Sequence, residues 1–150
     1  VTNKRFYLYF PAAIILLLLL SFTPPAADLS HDVLKYTNEY RKSKGLSALV
    51  MRNDLNAIAQ KHSADMANGR VGFGHDGYEQ RQAAVQRLIK PWHGMAENVA
   101  YGVRTGKEVV AMWKKSAVHR TNMLGKYTVI GIGTARDRKG RVYYTQIFVR

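Results

Sequence analysis

The chain has no cysteine. That excludes a disulfide framework, a thiolate zinc site, a cysteine nucleophile and a lipid anchor through an N-terminal cysteine. Acids are scarce: 10 Asp and Glu stand against 23 Lys and Arg, a formal net charge of +13 over 150 residues. Such an excess points to anionic partners, whether nucleic acid, membrane headgroups or acidic polymers. Proline is scarce too, and Pro91 is the only one after Pro25. With no repeat and no low-complexity run, nothing divides the chain internally, and its length suits one ordinary domain. The apolar fraction of 47% and charged fraction of 22% are those of a folded globular protein.

The first segment reads as an address. Lys4 and Arg5 precede an uncharged, mostly apolar run from Phe6 to Leu20 that ends in five leucines. Ser21, Phe22, Thr23, Pro24, Pro25, Ala26 and Ala27 follow, and the first acid is Asp28. A positive start, an apolar run and small residues in that order form a secretory signal peptide. The expectation is a leader over residues 1–27, cleaved after Ala26 or Ala27, and one domain over residues 28–150. The alternative is an uncleaved anchor, since the uncharged stretch 6–27 is long enough to span a bilayer core. Export places the protein outside the cell, in the periplasm or in the envelope. It moves the expected partners from the genome to anionic lipid and cell-envelope polymers. Without Lys4 and Arg5, 21 basic against 10 acidic residues still leave +11. No zinc finger, leucine zipper or RNA-binding aromatic motif is present, and no nucleic-acid partner is expected.

The rest reads as helices first and a hairpin last. Ser30 is placed to cap a helix over residues 31–44, with Val33, Tyr36, Thr37 and Tyr40 facing inward and Gly45 ending it. Asn53 is placed to cap a second helix, with Leu55, Ile58, Ala59, His62 and Met66 on one face and Gly69 closing it. A third helix is expected over 78–88, and residues 94–102 read as a loop or short strand. Thr105-Gly106-Lys107-Glu108 has capping-box spacing and starts a fourth helix, with Val109, Trp113 and Ser116 on one face. Two strands, 128–135 and 141–149, flank a turn over 136–140 that ends in glycine. The fold class is α+β, built in layers.

Two of the five histidines have unusual company. His75 lies between flexible glycines in Phe73-Gly74-His75-Asp76-Gly77, and His119 follows Trp113 and Ser116. Between them Glu97 sits inside the apolar stretch Met95–Ala100. A carboxylate buried there without a partner is costly, and two imidazoles converging on it would satisfy it.

The order of these segments resembles the CAP superfamily of cysteine-rich secretory proteins, group-one plant pathogenesis-related proteins, insect venom allergens and many exported bacterial domains. The matching pieces are Asn38-Glu39-Tyr40-Arg41, Leu55 to Ala59, Met66-Ala67, Gly74-His75, Ala96-Glu97-Asn98-Val99-Ala100, Trp113…Ser116…His119, Ile130-Gly131-Ile132-Gly133 and Tyr144-Thr145-Gln146-Ile147-Phe148. They span residues 30–150. The resemblance implies a three-layer α-β-α sandwich with an antiparallel central sheet and a cleft in which two His and two Glu can hold a divalent metal. His75 and His119 match the two histidines and so are the implied metal ligands, with zinc or another divalent cation the implied cofactor. Glu97 matches the acid of the family's Gly-Glu-Asn motif, with Ala96 in place of glycine. The second acid is replaced by Ser116, a departure shared with the bacterial branch that removes one ligand from the implied metal set.

Three functions follow. In the first, His75, Glu97, Asn98, Ser116 and His119 line the cleft of a non-enzymatic exported binding module for a lipid, sterol, peptide or glycan. In the second, the protein is a metal-dependent hydrolase using His75, Glu97 and His119, or a serine hydrolase in which Ser116 is the nucleophile, His119 its base and Glu97 the orienting acid. In the third, it is a basic structural protein of the envelope. The bland alternative for the polar cluster is a structural tie between loops. His62 reads as a packed histidine of the second helix, His31 as solvated, and His93 as a residue at the cleft rim. Arg41, Lys42, Lys44, Arg81, Arg87, Arg136, Arg138, Lys139 and Arg141 read as a solvated basic surface.

Overall fold

α1 runs over Ala26–Lys42, starting earlier than Ser30 predicts, because Leu29 and Val33 are both buried and carry the inward stripe back by a turn. The computed structural model describes residues 26–150, with side chains from residue 29. Most of the expected leader therefore lies outside the described residues. The end of α1 is a Schellman turn. Leu46 N–H donates to the Arg41 carbonyl and Gly45 N–H to that of Lys42, with Gly45 at φ 72°. Such a φ is cheap for glycine alone.

The chain then forms β1 (Val50–Met51), α2 (Asn53–Ala67), α3 (Tyr78–Leu88), β2 (Met95–Tyr101), α4 (Gly106–Lys115), α5 (Ala117–Met123), β3 (Val129–Arg136) and β4 (Val142–Val149). The strands form one sheet in the order β1-β3-β4-β2. β3, β4 and β2 are antiparallel, but β1 joins β3 in parallel. The sheet is therefore mixed, where a purely antiparallel one was expected. A two-residue strand is too short to show alternation, so β1 left no pattern to read.

Helices cover both faces. On one, α1, α4 and α5 bury Val33, Val109, Trp113 and Met123 against Ile130, Ile132, Tyr144 and Phe148. On the other, α2 and α3 bury Leu55, Ala59 and Val85 against Ile147 and Val149. Odd and even positions of β4 serve opposite faces, as the strand repeat of two requires. α2 lies directly on β3 because Gly131 and Gly133 have no side chains. A Cβ at Gly133 would stand 2.2 Å from the backbone of Ala59. Beyond β1 the outer edge of β3 is closed by α2 side chains. Asn56 Oδ1 accepts from Ile132 N–H and Gln60 Oε1 from Thr134 N–H, so this stretch of the β3 edge does not invite another strand.

The capping box of α4 is present: Thr105 Oγ1 accepts from Glu108 N–H, and Glu108 Oε2 accepts from Thr105 N–H. Asn53, by contrast, is the first residue of α2 and not its cap; Arg52 holds the cap position with extended backbone and no side-chain capping bond. Residues 94–102, open between loop and strand in the sequence, form the seven-residue β2. The fourth helix stops before Ser116, whose ψ of 125° breaks it and starts α5. Arg41 is not on the basic surface. It is 2% exposed and donates to the carbonyls of Ser47, Met123, Gly125 and Tyr127, tying α1 to the end of α5. Burial without a carboxylate partner lowers its pKa.

Candidate functional site

Glu97 and Asn98 are neighbours on β2, and the pleat sends their side chains to opposite faces. Glu97 pairs in register with Ile147, on the α2–α3 side. Asn98 pairs with Gln146, whose Nε2 donates to Thr37 of α1 on the other side. The two residues do not share a cleft.

The Glu97 carboxylate is 1% exposed and has two partners. Arg81 of α3 grips it with both ends of its guanidinium, Nε to Oε2 at 2.6 Å and Nη2 to Oε1 at 2.6 Å. His75 Nδ1 lies 2.8 Å from Oε1. Two-point pairing of this kind is the strongest an arginine makes with a carboxylate. Arg81 also donates to the Asp76 carbonyl at 2.7 Å, so it fixes the loop that carries His75. A carboxylate held by arginine is an acceptor, so His75 donates to it from Nδ1. The ring's other nitrogen, Nε2, has no hydrogen-bond partner among the described residues, and the side chain is 50% exposed.

Arg81, placed on the solvated surface by its sequence, is the central partner of Glu97. The cue was in its spacing. Tyr78, Arg81 and Val85 form an i, i+3, i+7 stripe, and an arginine at an inward position of a helix needs buried acceptors, carbonyls for Arg41 and a carboxylate for Arg81. Tyr78 Oη donates to the Met95 carbonyl at 3.0 Å and fastens α3 to β2. An open cleft of about 450 Å³ lies over this edge, lined by His75, Tyr78, Met95, Glu97, Asn122 and Tyr127. Asn122 of α5 and Tyr127 of the α5–β3 connection carried no sequence signal.

Asn98, Ser116 and His119 do not line that cleft. Asn98 is fully buried, donates to the His119 carbonyl at 3.2 Å and Gln146 Oε1 at 3.2 Å, and accepts from Asn122 Nδ2 at 2.9 Å. It is a latch holding α5 against β2. The His119 ring is half-buried, 6.5 Å from the ring of Trp113. Burial, and then the nearby His75, lower its pKa. Among the described residues no hydrogen bond joins His119 to Ser116, Glu97 or His75. A nucleophile–base–acid relay of Ser116, His119 and Glu97 is therefore not assembled.

The metal reading is tested by the same donors. Among the described residues no group of three or more His, Asp or Glu is arranged to hold a metal ion. Both oxygens of Glu97 are engaged by Arg81, the second acid is Ser116, and a guanidinium beside the site repels a cation. Two imidazoles alone fall short of the three or four protein ligands of a resident zinc. His75 and His119 do not fit such a centre.

His62 is buried on α2, with Nε2 2.9 Å from the Gly74 carbonyl, so it braces the loop from behind. Burial is the main cause of its lowered pKa. It also lines a second, more enclosed cavity of about 360 Å³ between α2, α3 and the loop, with Ile58, Val71, Gln80 and Arg81. Arg81 thus lines one cavity and binds the acid that lines the other.

A profile of the cysteine-rich secretory protein family, CAP, matches residues 34–148. The Bacillus subtilis protein YkwD is 32% identical over 104 residues, 67% of this chain and 40% of that protein. Among solved structures, a cysteine-rich secretory protein from Staphylococcus aureus superposes with a TM-score of 0.68 at 28% identity, over 83% of this chain and 38% of that one. An extracellular protein containing an SCP domain from Bacillus anthracis does so with a TM-score of 0.71 at 26% identity, over 83% and 41%. The chain spans about two fifths of the length of each of these relatives. No helix among the described residues is long and apolar enough to cross a membrane. With the order of its motifs, its mixed four-stranded sheet between two helical layers, and the profile match over nearly the whole described chain, this protein belongs to the cysteine-rich secretory protein (CAP) family.

Proposed function

We propose that the protein is an exported, non-enzymatic binding module. Its ligand enters the open cleft beside His75 and meets the imidazole Nε2, with Tyr78, Met95 and Tyr127 as walls. The observation that carries this reading is the Arg81–Glu97–His75 chain of hydrogen bonds. It fixes the ring and neutralises the acid, which makes a preorganised recognition group. It also occupies both oxygens of Glu97, which are then not available as metal ligands. The signal-like run before residue 28 and the extracellular relative from Bacillus anthracis support a location outside the cell.

The test is a thermal-shift screen of soluble peptides, glycans, sterols and lipids against wild type and His75→Ala, with circular dichroism to confirm that the variant is folded. A ligand that raises the melting temperature of wild type and leaves His75→Ala unmoved supports the reading. Binding indifferent to His75→Ala counts against it. So does turnover of a peptide or ester library that disappears in that variant, which would establish the hydrolase instead.

A further inference from the structure

A second feature lies on the same face of the sheet, at the end of β2 beyond Glu97. Tyr101 at the end of β2 pairs in register with Tyr143 of β4, and their rings stack with centroids 5.4 Å apart and planes 17° from parallel. Phe73, from the loop before His75, meets Tyr101 edge-on at 4.7 Å. The Arg141 guanidinium stands over the Tyr101 ring at 5.9 Å. Cross-strand stacking accounts for Tyr143, which is 8% exposed and packs with Met66 and Val99. It does not account for the outer rings. Phe73 is 53% exposed and Tyr101 44%. The half of an apolar ring that stays in water gains nothing from folding.

The charges around these rings have one sign to spare. Asp137 accepts from Arg141 Nε at 2.6 Å and also from the backbone N–H groups of Lys139 and Arg141, so this acid is fully engaged. Among the described residues nothing hydrogen-bonds the two Nη groups of Arg141, whose side chain is 48% exposed. Arg138 and Lys139 in the adjoining turn and Arg104 just beyond Tyr101 are all exposed, whereas Arg70, just before Phe73, is paired with Asp65 at 3.2 Å.

We propose that Phe73, Tyr101 and Arg141 form a platform for an anionic glycan, a sugar polymer carrying carboxylate, phosphate or sulfate groups. The C–H face of a sugar ring packs on an exposed aromatic ring. A guanidinium with free Nη groups takes a carboxylate or phosphate in two-point fashion. The surrounding cations raise the local concentration of a polyanion. An uncharged glycan would use the rings without the arginines. A generic polyanion would use the arginines without the rings. The platform joins both on one patch, and that juxtaposition selects a polymer with both features. Tyr101 stands four residue steps from Glu97, roughly 13 Å along β2, and neither it nor Phe73 nor Arg141 lines the His75 cleft, so this inference does not rest on the reading of that cleft.

The experiment is calorimetric titration of the full domain with a heparin-derived hexasaccharide and, in parallel, a chitin hexasaccharide of the same length without charge. Both are run at low and at high salt, and against an acidic hexapeptide. The expected result is binding of the anionic sugar that weakens with salt. Phe73→Ala, a loop substitution outside the core, weakens it at least tenfold, and Phe73→Ala with Tyr101→Ala weakens it further. Arg141→Gln lowers affinity and flattens the salt dependence, while His75→Ala leaves affinity within about twofold. Salt-dependent binding untouched by Phe73→Ala would overturn the proposal in favour of a general basic surface. Equal affinity for the uncharged sugar, tighter binding of the acidic peptide, or no binding of the anionic sugar would overturn it as well.

Discussion

Glu97 and Asn98 occupy successive positions on one strand and are both buried, yet they build opposite kinds of polar network. Asn98 reaches the α1–α4–α5 side, where every partner is neutral: Gln146, Asn122, the His119 carbonyl and, through Gln146, Thr37. Glu97 reaches the α2–α3 side, where its partners are a guanidinium and an imidazole that is half in solvent. A closed neutral network fixes geometry and gains nothing from being reached by a ligand. A charged network open at one end holds a titratable ring ready for one. The same strand therefore carries a closed neutral network on one face and a charged, solvent-open one on the other, by the alternation of its side chains.

The largest effect that would break this contrast is expected from Arg81. Glu97 and Arg81 side chains are 1% and 11% exposed, so Arg81→Ala strands a carboxylate in the interior. The expected loss is about 3–5 kcal/mol of unfolding free energy in urea titration. Replacing both partners, Arg81→Met with Glu97→Leu, restores most of it, because the desolvation cost disappears with the charges. A loss below about 1 kcal/mol for Arg81→Ala would mean that solvent screens the pair as it does at a surface.

Asn98→Ala comes next. It leaves Gln146 and Asn122 without a shared partner, and an orphaned buried polar group costs about 1–3 kcal/mol. We expect a loss of about 2–3 kcal/mol on this basis, with the NMR titration of His75 unchanged. A shifted His75 titration would show that the two networks are coupled through β2 and that the contrast is false.

How much of this was legible in advance follows from where the physics is local. The capping box at Thr105, the hairpin around Asp137–Gly140 and the helical face of α2 depend on neighbours in sequence, and they lie where their patterns predict. The family motifs located His75 and Glu97, which do meet. The rest depends on contacts that spacing does not encode. Arg41 and Arg81 look identical to surface arginines in composition, and only the inward stripe of each helix marks them as buried. Asn98 follows Glu97 in the motif, and reading the two as one cleft neglected the period of two in a strand. Ser116 and His119 are three apart, but the helix breaks at Ser116, so the two are not successive turns of one helix, and no hydrogen bond joins them among the described residues.

Acid affects both sides of the sheet. His62 faces the Gly74 carbonyl, Arg81, Glu97 and His75, and burial holds its pKa below the ordinary value. His119, held by Asn98 through its carbonyl, is lowered by burial and by His75. In both cases the unfolded chain takes up the proton first, so stability is complete above about pH 6.5 and declines as pH falls below it. Melting curves from pH 8 to pH 5 should show that decline. His62→Gln, which keeps a donor for Gly74, should reduce the slope more than His119→Gln, because His62 is the more deeply buried. A slope unchanged in both variants would assign the decline to other groups.

The smallest effect distinguishes a cap that works from a residue that only occupies the position. Thr105 closes its capping box with Glu108, and Thr105→Ala should cost about 1 kcal/mol. Ser116 ends α4 and begins α5 with no side-chain capping bond. Ser116→Ala should therefore stay within about 0.5 kcal/mol of wild type in the same urea titration, the usual range for a position without such a feature. It should also leave ligand binding at the His75 cleft unchanged, because Ser116 is not among the residues that line it. A substitution that is silent for stability but abolishes a measured activity would give Ser116 the nucleophilic role for which the described residues show no hydrogen bond to His119. The α4–α5 side of the sheet would then carry chemistry as well as structure.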